Sequence, residues 1–249
     1  MDERDGSLDR RGVSAGAPAG APVTPVVAPP VISPVGALLG VFTKPSATFA
    51  ALAPKPRFLL ALLVVLAVQL AAGYAVFQSG AVLNDSIAKL EAKGESPEAI
   101  AMTEKALTGQ LGMILVVLGG GFAVAFIMLL HAALMFFMGN LMLGARLQFP
   151  HYLCVAAYSS VVGIPDMVVR TILAVGKESM DVRLGVGAFL GEELGPLGRA
   201  LDTMTDPLLI WSTLVAAIGA SVFAAKGLRF GILVVLPGFL IGVLLSATR

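Results

Sequence analysis

Apolar positions run through this chain in long stretches, and polar positions collect between them. About 20 apolar residues are needed to cross a hydrocarbon core of roughly 30 Å. Five stretches reach that length, at 58–77, 111–143, 152–175, 207–225 and 230–247. The second, at about 1.5 Å per residue, measures close to 50 Å and is too long for one straight crossing. It calls for tilt, a projecting end, or a bend at Gly119-Gly120-Gly121. The predicted fold class is therefore all-α: a polytopic membrane helix bundle with five transmembrane helices. An odd number of crossings puts the two termini on opposite sides.

The segments between the spans carry their own signals. Residues 1–34 hold four acids, three arginines and an aperiodic run of Ala, Pro, Gly and Val, which reads as a disordered Pro/Ala-rich cytosolic tail. The membrane domain is taken as 35–249. Its first part, GALLGVFTKPSATFAALAPKPRF, has a proline that should open a short helix at Ser46 and a hydrophobic side made of Leu38, Leu39, Val41, Phe42, Phe49 and Leu52. Two readings stay open: a helix lying on the lipid leaflet with Lys44, Lys55 and Arg57 toward anionic headgroups, or a stub packed against the bundle. In the connection at 79–109, Ser96-Pro97-Glu98 is a helix start with a capping hydroxyl and proline at the first helical position. Gly94 separates it from an earlier helical pattern, VLNDSIAKLEA, so two short amphipathic helices are expected. In the connection at 177–204, LGRALDTM is expected to form one turn or two.

Composition fits this reading. The chain has 249 residues, of which 57% are hydrophobic and 13% charged, with a mean hydropathy of +0.90. A net charge of +1 gives no basic excess for nucleic acid. The single cysteine, Cys154, has no partner for a disulfide and reads as a packing residue. Charge also orients the spans. The short connections carry Arg146, Lys226 and Arg229 without an acid, whereas the two long ones carry six basic residues against eleven acids. By the positive-inside rule the amino terminus is cytosolic and the carboxy terminus outside.

Several stretches also carry a resemblance. LLGVFTKPSATFAAL, PKPRFLLALLVV, the connection LNDSIAKLEAKGESPEAIAMTEKAL, YSSVVGIP in the third span and DPLLIWSTLVAAIG opening the fourth occur in an order and spacing that resemble the bacterial branch of the Yip-one domain family. These are five-span relatives of the eukaryotic Rab-interacting (Ypt-interacting) membrane proteins. The resemblance runs from about Val35 to the carboxy terminus and implies five spans with a cytosolic amino terminus, in a bacterial cytoplasmic membrane. The trafficking role of the eukaryotic members does not carry over. The aspartate-leucine-tyrosine-glycine-proline run associated with their partner binding is missing here, as is a long folded cytosolic domain.

Candidate chemistry is sparse. Asp166 and Arg170 stand four apart in the third span and share a helical face, so they can pair. Intramembrane ionisable groups are functional candidates, and pairing also lowers what they cost in lipid. Counted from Tyr152, Arg170 lies far enough along the helix, at about 27 Å, to snorkel to the interface, while Asp166 is the deeper group. His131 shares a stripe with Met128, Met135, Met138 and Met142, a set of soft ligands that suits Cu(I) but equally an ordinary helix contact. No metal or cofactor is expected. Small residues recur four apart at Ala67, Ala71 and Ala75, at Gly121 and Ala125, at Ala216, Ala220 and Ala224, and at Gly238 and Gly242. Such ridges bring helices close in lipid, within the bundle or between copies. Phosphate loops, nucleophile elbows and metalloprotease motifs are absent, so no enzyme is expected. The sequence points to a non-enzymatic protein that binds membrane lipids and other membrane proteins or further copies of itself. The alternative is a small transporter, channel or lipid scrambler using Asp166.

Overall fold

The structure is a computed structural model and describes residues 32–190 and 194–248; it is helical, with no strand among those residues. Eleven α-helices follow in order: α1 Pro34–Thr43, α2 Pro45–Leu52, α3 Leu59–Gln78, α4 Ala81–Ala92, α5 Pro97–Thr108, α6 Gln110–Phe136, α7 Phe149–Val162, α8 Ile164–Lys177, α9 Pro196–Thr205, α10 Pro207–Phe223 and α11 Leu228–Ala247. Three helices are each long and apolar enough to cross a membrane: α3, α6 with its continuation to Met142, and α11. Two bent pairs, α7 with α8 and α9 with α10, bring the number of crossings to as many as five if each pair is one span.

The local sequence explains where these helices start. Serine or aspartate followed by proline opens three of them. Ser33 Oγ accepts from Gly36 N at 3.0 Å, Ser96 Oγ from Ala99 N at 3.3 Å, and Asp206 Oδ1 from Leu208 N at 2.9 Å. Each satisfies a donor that the first turn leaves orphaned, and the proline that follows has no donor to satisfy. The first of these caps corrects the boundary of the expected tail. Residues 1–31 lie outside the described residues, but Ser33 and Pro34 begin α1, and Ile32 packs on the core.

Of the three ways left open for the long second stretch, the bend at the triple glycine does not occur. α6 runs unbroken through Gly119, Gly120 and Gly121, because a helix in lipid must keep its backbone bonds internal. Two of these glycines instead bring α6 close to α3: an added Cβ would come 3.5 Å from the Gln69 amide at Gly120 and 3.0 Å from Leu70 at Gly121. The departure from α-geometry comes later, as a π-helical turn at Phe137–Met142. There Asn140 reads the backbone of Leu147 in both directions, donating to its carbonyl at 2.7 Å and accepting from its amide at 3.3 Å. Tyr152 donates its hydroxyl to the same Asn140 Oδ1 at 3.0 Å.

α7 is the central helix. Tyr152, the run Cys154–Ser159, Val161 and Val162 are all buried, with α3, α6 and α10 packed around it. The amino-terminal segment adds to this core. Phe49 is fully buried and meets Tyr158 and Phe223 edge-on, with ring centroids 6.3 and 5.5 Å away. Gly219 makes room for it, since a Cβ there would lie 2.7 Å from the Phe49 ring. Of the two readings for this segment, the packed stub describes α2 and the inner side of α1. The rest of the expected hydrophobic side is divided: Val41 and Leu52 are buried, whereas Leu39 is 68% exposed.

Candidate functional site

The stretch predicted as the third span is two helices, α7 and α8, bent by 44° at Gly163. The bend changes the setting of the ionisable pair. Asp166 sits in the first turn of α8 and Arg170 one turn later. Arg170 Nε donates to both Asp166 oxygens, at 2.9 and 3.1 Å, so these two predicted residues do meet. Both side chains are partly buried, at 35% exposure for Arg170 and 24% for Asp166.

Beyond Asp166, Arg170 is held by two further groups at the end of the bundle that carries the long connections. One terminal nitrogen, Nη1, donates to the Val182 carbonyl at 3.0 Å. The other, Nη2, pairs with Asp206 Oδ2. Asp206 is fully buried, and its second oxygen caps α10 by accepting from Leu208 N and Leu209 N. Three of the guanidinium nitrogens are thus used on three separate segments: α8, the chain after it, and the start of α10. The planar fork of arginine suits this arrangement, because its donors point in fixed, divergent directions.

The connection between α8 and α9 is stitched to the same place. Asp202, buried on α9, accepts through Oδ1 from Gly185 N at 2.9 Å and Gly187 N at 3.0 Å. Thr205 Oγ1 accepts from Val186 N at 2.9 Å. Gly187 is required by the closeness of this approach, since a Cβ there would come 2.7 Å from Asp202 Oδ1. α9 itself has ten residues, longer than the one or two turns expected, and meets α10 at 59° across Asp206.

Asp206 and Asp202 are the residues that sequence reasoning did not single out. The signal for Asp206 was present, since aspartate before proline at the head of an apolar run is a helix cap. Its pairing with Arg170, 36 positions away, is set by the tertiary fold.

The other candidates lie elsewhere. His131 is on α6, where its buried Nε2 has no hydrogen-bond partner among the described residues. Of its methionine stripe, Met128 and Met135 are buried in the core and Met142 is exposed. Among the described residues no group of three His, Cys, Asp or Glu stands close enough to hold a metal ion. Ala216 and Ala220 are buried on α10, and Ala224 caps that helix, half-buried. Ala67 and Ala71 on α3 are exposed.

A comparison with protein families matches residues 39–248 to the Yip1 domain. Neither a curated protein nor a solved structure matches the chain.

Proposed function

The chain belongs to the Yip1 domain family, and from that premise we propose that it is a non-enzymatic, multi-pass membrane protein that organises the bilayer or binds other membrane proteins. The observation that carries this reading is the fate of Arg170. Its Nε, Nη1 and Nη2 go to Asp166, the Val182 carbonyl and Asp206. A transport path needs ionisable groups that can exchange partners with a solute or a proton. Here Asp166 and Arg170 tie α8 to the start of α10 through Asp206, which is a fixing role. This argues against the transporter and scrambler readings, which depended on Asp166.

The surface offers room for partners. α6 turns large side chains outward along much of its length, among them Leu115, Leu118, Phe122, Phe126 and Leu130. Lipid tails, another membrane protein or a second copy can cover such a face, because in a bilayer association depends on packing and not on a hydrophobic drive. The bundle end bearing the short, basic connections is assigned to the cytosol of a bacterial cytoplasmic membrane, with the amino terminus on that side.

In-cell crosslinking followed by mass spectrometry tests the proposal. A reproducible membrane-protein partner or a homotypic crosslink through α6 is the expected result. Ion or lipid flux from a strictly monomeric preparation in liposomes would overturn it. Reporter fusions at both termini test the orientation, and two reporters on one side would rule out five crossings.

A further inference from the structure

A cavity of about 260 Å³ lies where α6, α7, α10 and α11 meet, and its polar lining consists of His131, Ser159, Ser160, Ser212 and Thr213. Its depth follows from the helix bounds. His131 and Ser212 lie eleven residues from the ends of their helices at Met142 and Phe223, and Ser159 and Gly238 lie ten from the starts of theirs at Phe149 and Leu228. All four helix ends belong to the side with the short connections. At about 1.5 Å per residue the cavity stands some 15–17 Å in, near the middle of a hydrocarbon core of roughly 30 Å. It exists because α8 turns away at Gly163 to pack on α3. Gly242, which lines the cavity, is exposed on the apolar perimeter, so entry is from lipid and not from water.

The hydrogen-bonding chemistry of the lining is specific. Ser159 and Ser160 each donate their hydroxyl proton to the Ala156 carbonyl, at 3.0 and 2.9 Å. Ser212 donates to the Leu209 carbonyl at 2.9 Å. Each hydroxyl has one proton and two lone pairs, so what these serines have left to offer is acceptance. His131 Nε2, buried and unpartnered, donates or accepts according to its tautomer. A buried polar atom left without a partner is costly in lipid, where no water supplies the missing bond. The lining holds no Asp, Glu, Lys or Arg, so a charged headgroup would enter without a counter-ion.

We propose that this cavity is a binding site for a neutral lipid bearing a free hydroxyl group, of the diacylglycerol class. Such a hydroxyl both donates and accepts. It gives its proton to a serine oxygen and takes a bond from the Thr213 hydroxyl and, once the buried imidazole tilts toward the cavity, from His131 Nε2, and its apolar chains leave past Gly242. A quinone carbonyl can only accept, so it could bond to Thr213 or His131 but would leave the serine oxygens unused, whereas a hydroxyl serves both kinds of group. Gly238 leaves room for the imidazole, since a Cβ there would approach its Nε2 to 3.1 Å.

The test uses the full chain in phosphatidylcholine nanodiscs with a diacylglycerol carrying a photoactivatable diazirine near the glycerol. Labelling should be saturable and fall on the peptides around residues 159–163 and 209–216. Unlabelled diacylglycerol should compete, and its acetylated, hydroxyl-free counterpart should not. A long-chain isoprenoid alcohol serves as a further competitor: equal or better competition would keep the hydroxyl chemistry but overturn the diacylglycerol assignment. His131→Phe should weaken labelling about tenfold, the effect of one lost hydrogen bond. Gly242→Leu guards against a mere folding defect. A Cβ at 242 meets nothing within 4 Å, so leucine fits the helix and fills the mouth; it should abolish labelling while leaving the melting temperature unchanged. Equal competition by the acetylated lipid, stronger competition by ubiquinone, or labelling indifferent to Gly242→Leu would overturn the proposal. So would the absence of saturable labelling.

Discussion

The two ends of the bundle solve the same problem by different means. At each end helices must be tied together where their backbone groups run out of internal partners. The end with the long connections uses charge: Arg170 bridges Asp166 and the buried Asp206. The end with the short connections uses a neutral amide, Asn140, which pairs with both backbone groups of Leu147, and Lys226 donates to the Leu143 carbonyl at 2.7 Å. The reason lies in span and burial. Asn140 ties residues seven apart in a turn that the chain already makes, whereas Arg170 must hold segments 36 positions apart. A long side chain with divergent donors can reach that far. Its cost is that removing one member strands a charge, while removing the amide strands only neutral groups.

The largest expected effect follows from that asymmetry. Arg170→Met should destabilise the protein by about 3–4 kcal/mol, because Asp206 is left buried without a counter-charge. Reversible denaturation in mixed micelles measures it. The choice of rescue tests whether Asp206 or Asp166 is the partner that matters. Adding Asp206→Asn should recover about half of the loss, since asparagine still caps α10 and no charge remains buried. Adding Asp166→Asn should recover little. The opposite ranking would mean that the pair within α8 carries the energy and that the link to α10 is incidental.

Next in size is the neutral amide at the other end. Asn140→Leu should cost about 2 kcal/mol, the result of leaving the Leu147 amide and carbonyl and the Tyr152 hydroxyl without their partner. Hydrogen exchange should rise at residues 143–148 and stay unchanged at 182–189. If protection fell at both ends together, the two ties would belong to one cooperative unit, and the contrast between them would be energetic bookkeeping only.

How much of this could be read along the chain depends on the range of each interaction. The five apolar stretches, the paired helices in the 79–109 connection and the serine caps are local, and each left a local signal. Asp166 and Arg170 were legible as a pair because four residues on a helix fix their distance. Asp206 was legible as a cap but not as a counter-ion, since that role depends on how α8 and α10 approach each other. The triple glycine left a bend open as one of three alternatives because glycine is compatible both with a bend and with close packing, and what decides is the neighbour: Gln69 and Leu70 of α3. The cavity around His131 was illegible for the same reason. Its lining comes from four helices, and no single stretch of sequence marks it.

The smallest effect is the most discriminating. Asp166→Asn removes a partly exposed charge whose partner keeps both Asp206 and the Val182 carbonyl. Exposed or half-exposed ion pairs contribute roughly 0–1 kcal/mol, and asparagine can still accept a bond from Arg170 Nε. The variant should therefore lose less than about 1 kcal/mol and keep whatever crosslinks the native protein gives. A larger loss would show that Arg170 needs both carboxylates to balance its burial, placing the pair deeper in the low-dielectric region than its exposure indicates. Unchanged stability with lost crosslinking would be more informative still. It would separate Asp166 from the lock and return it to the role of a binding residue, half-buried at the start of α8 beside the bend at Gly163.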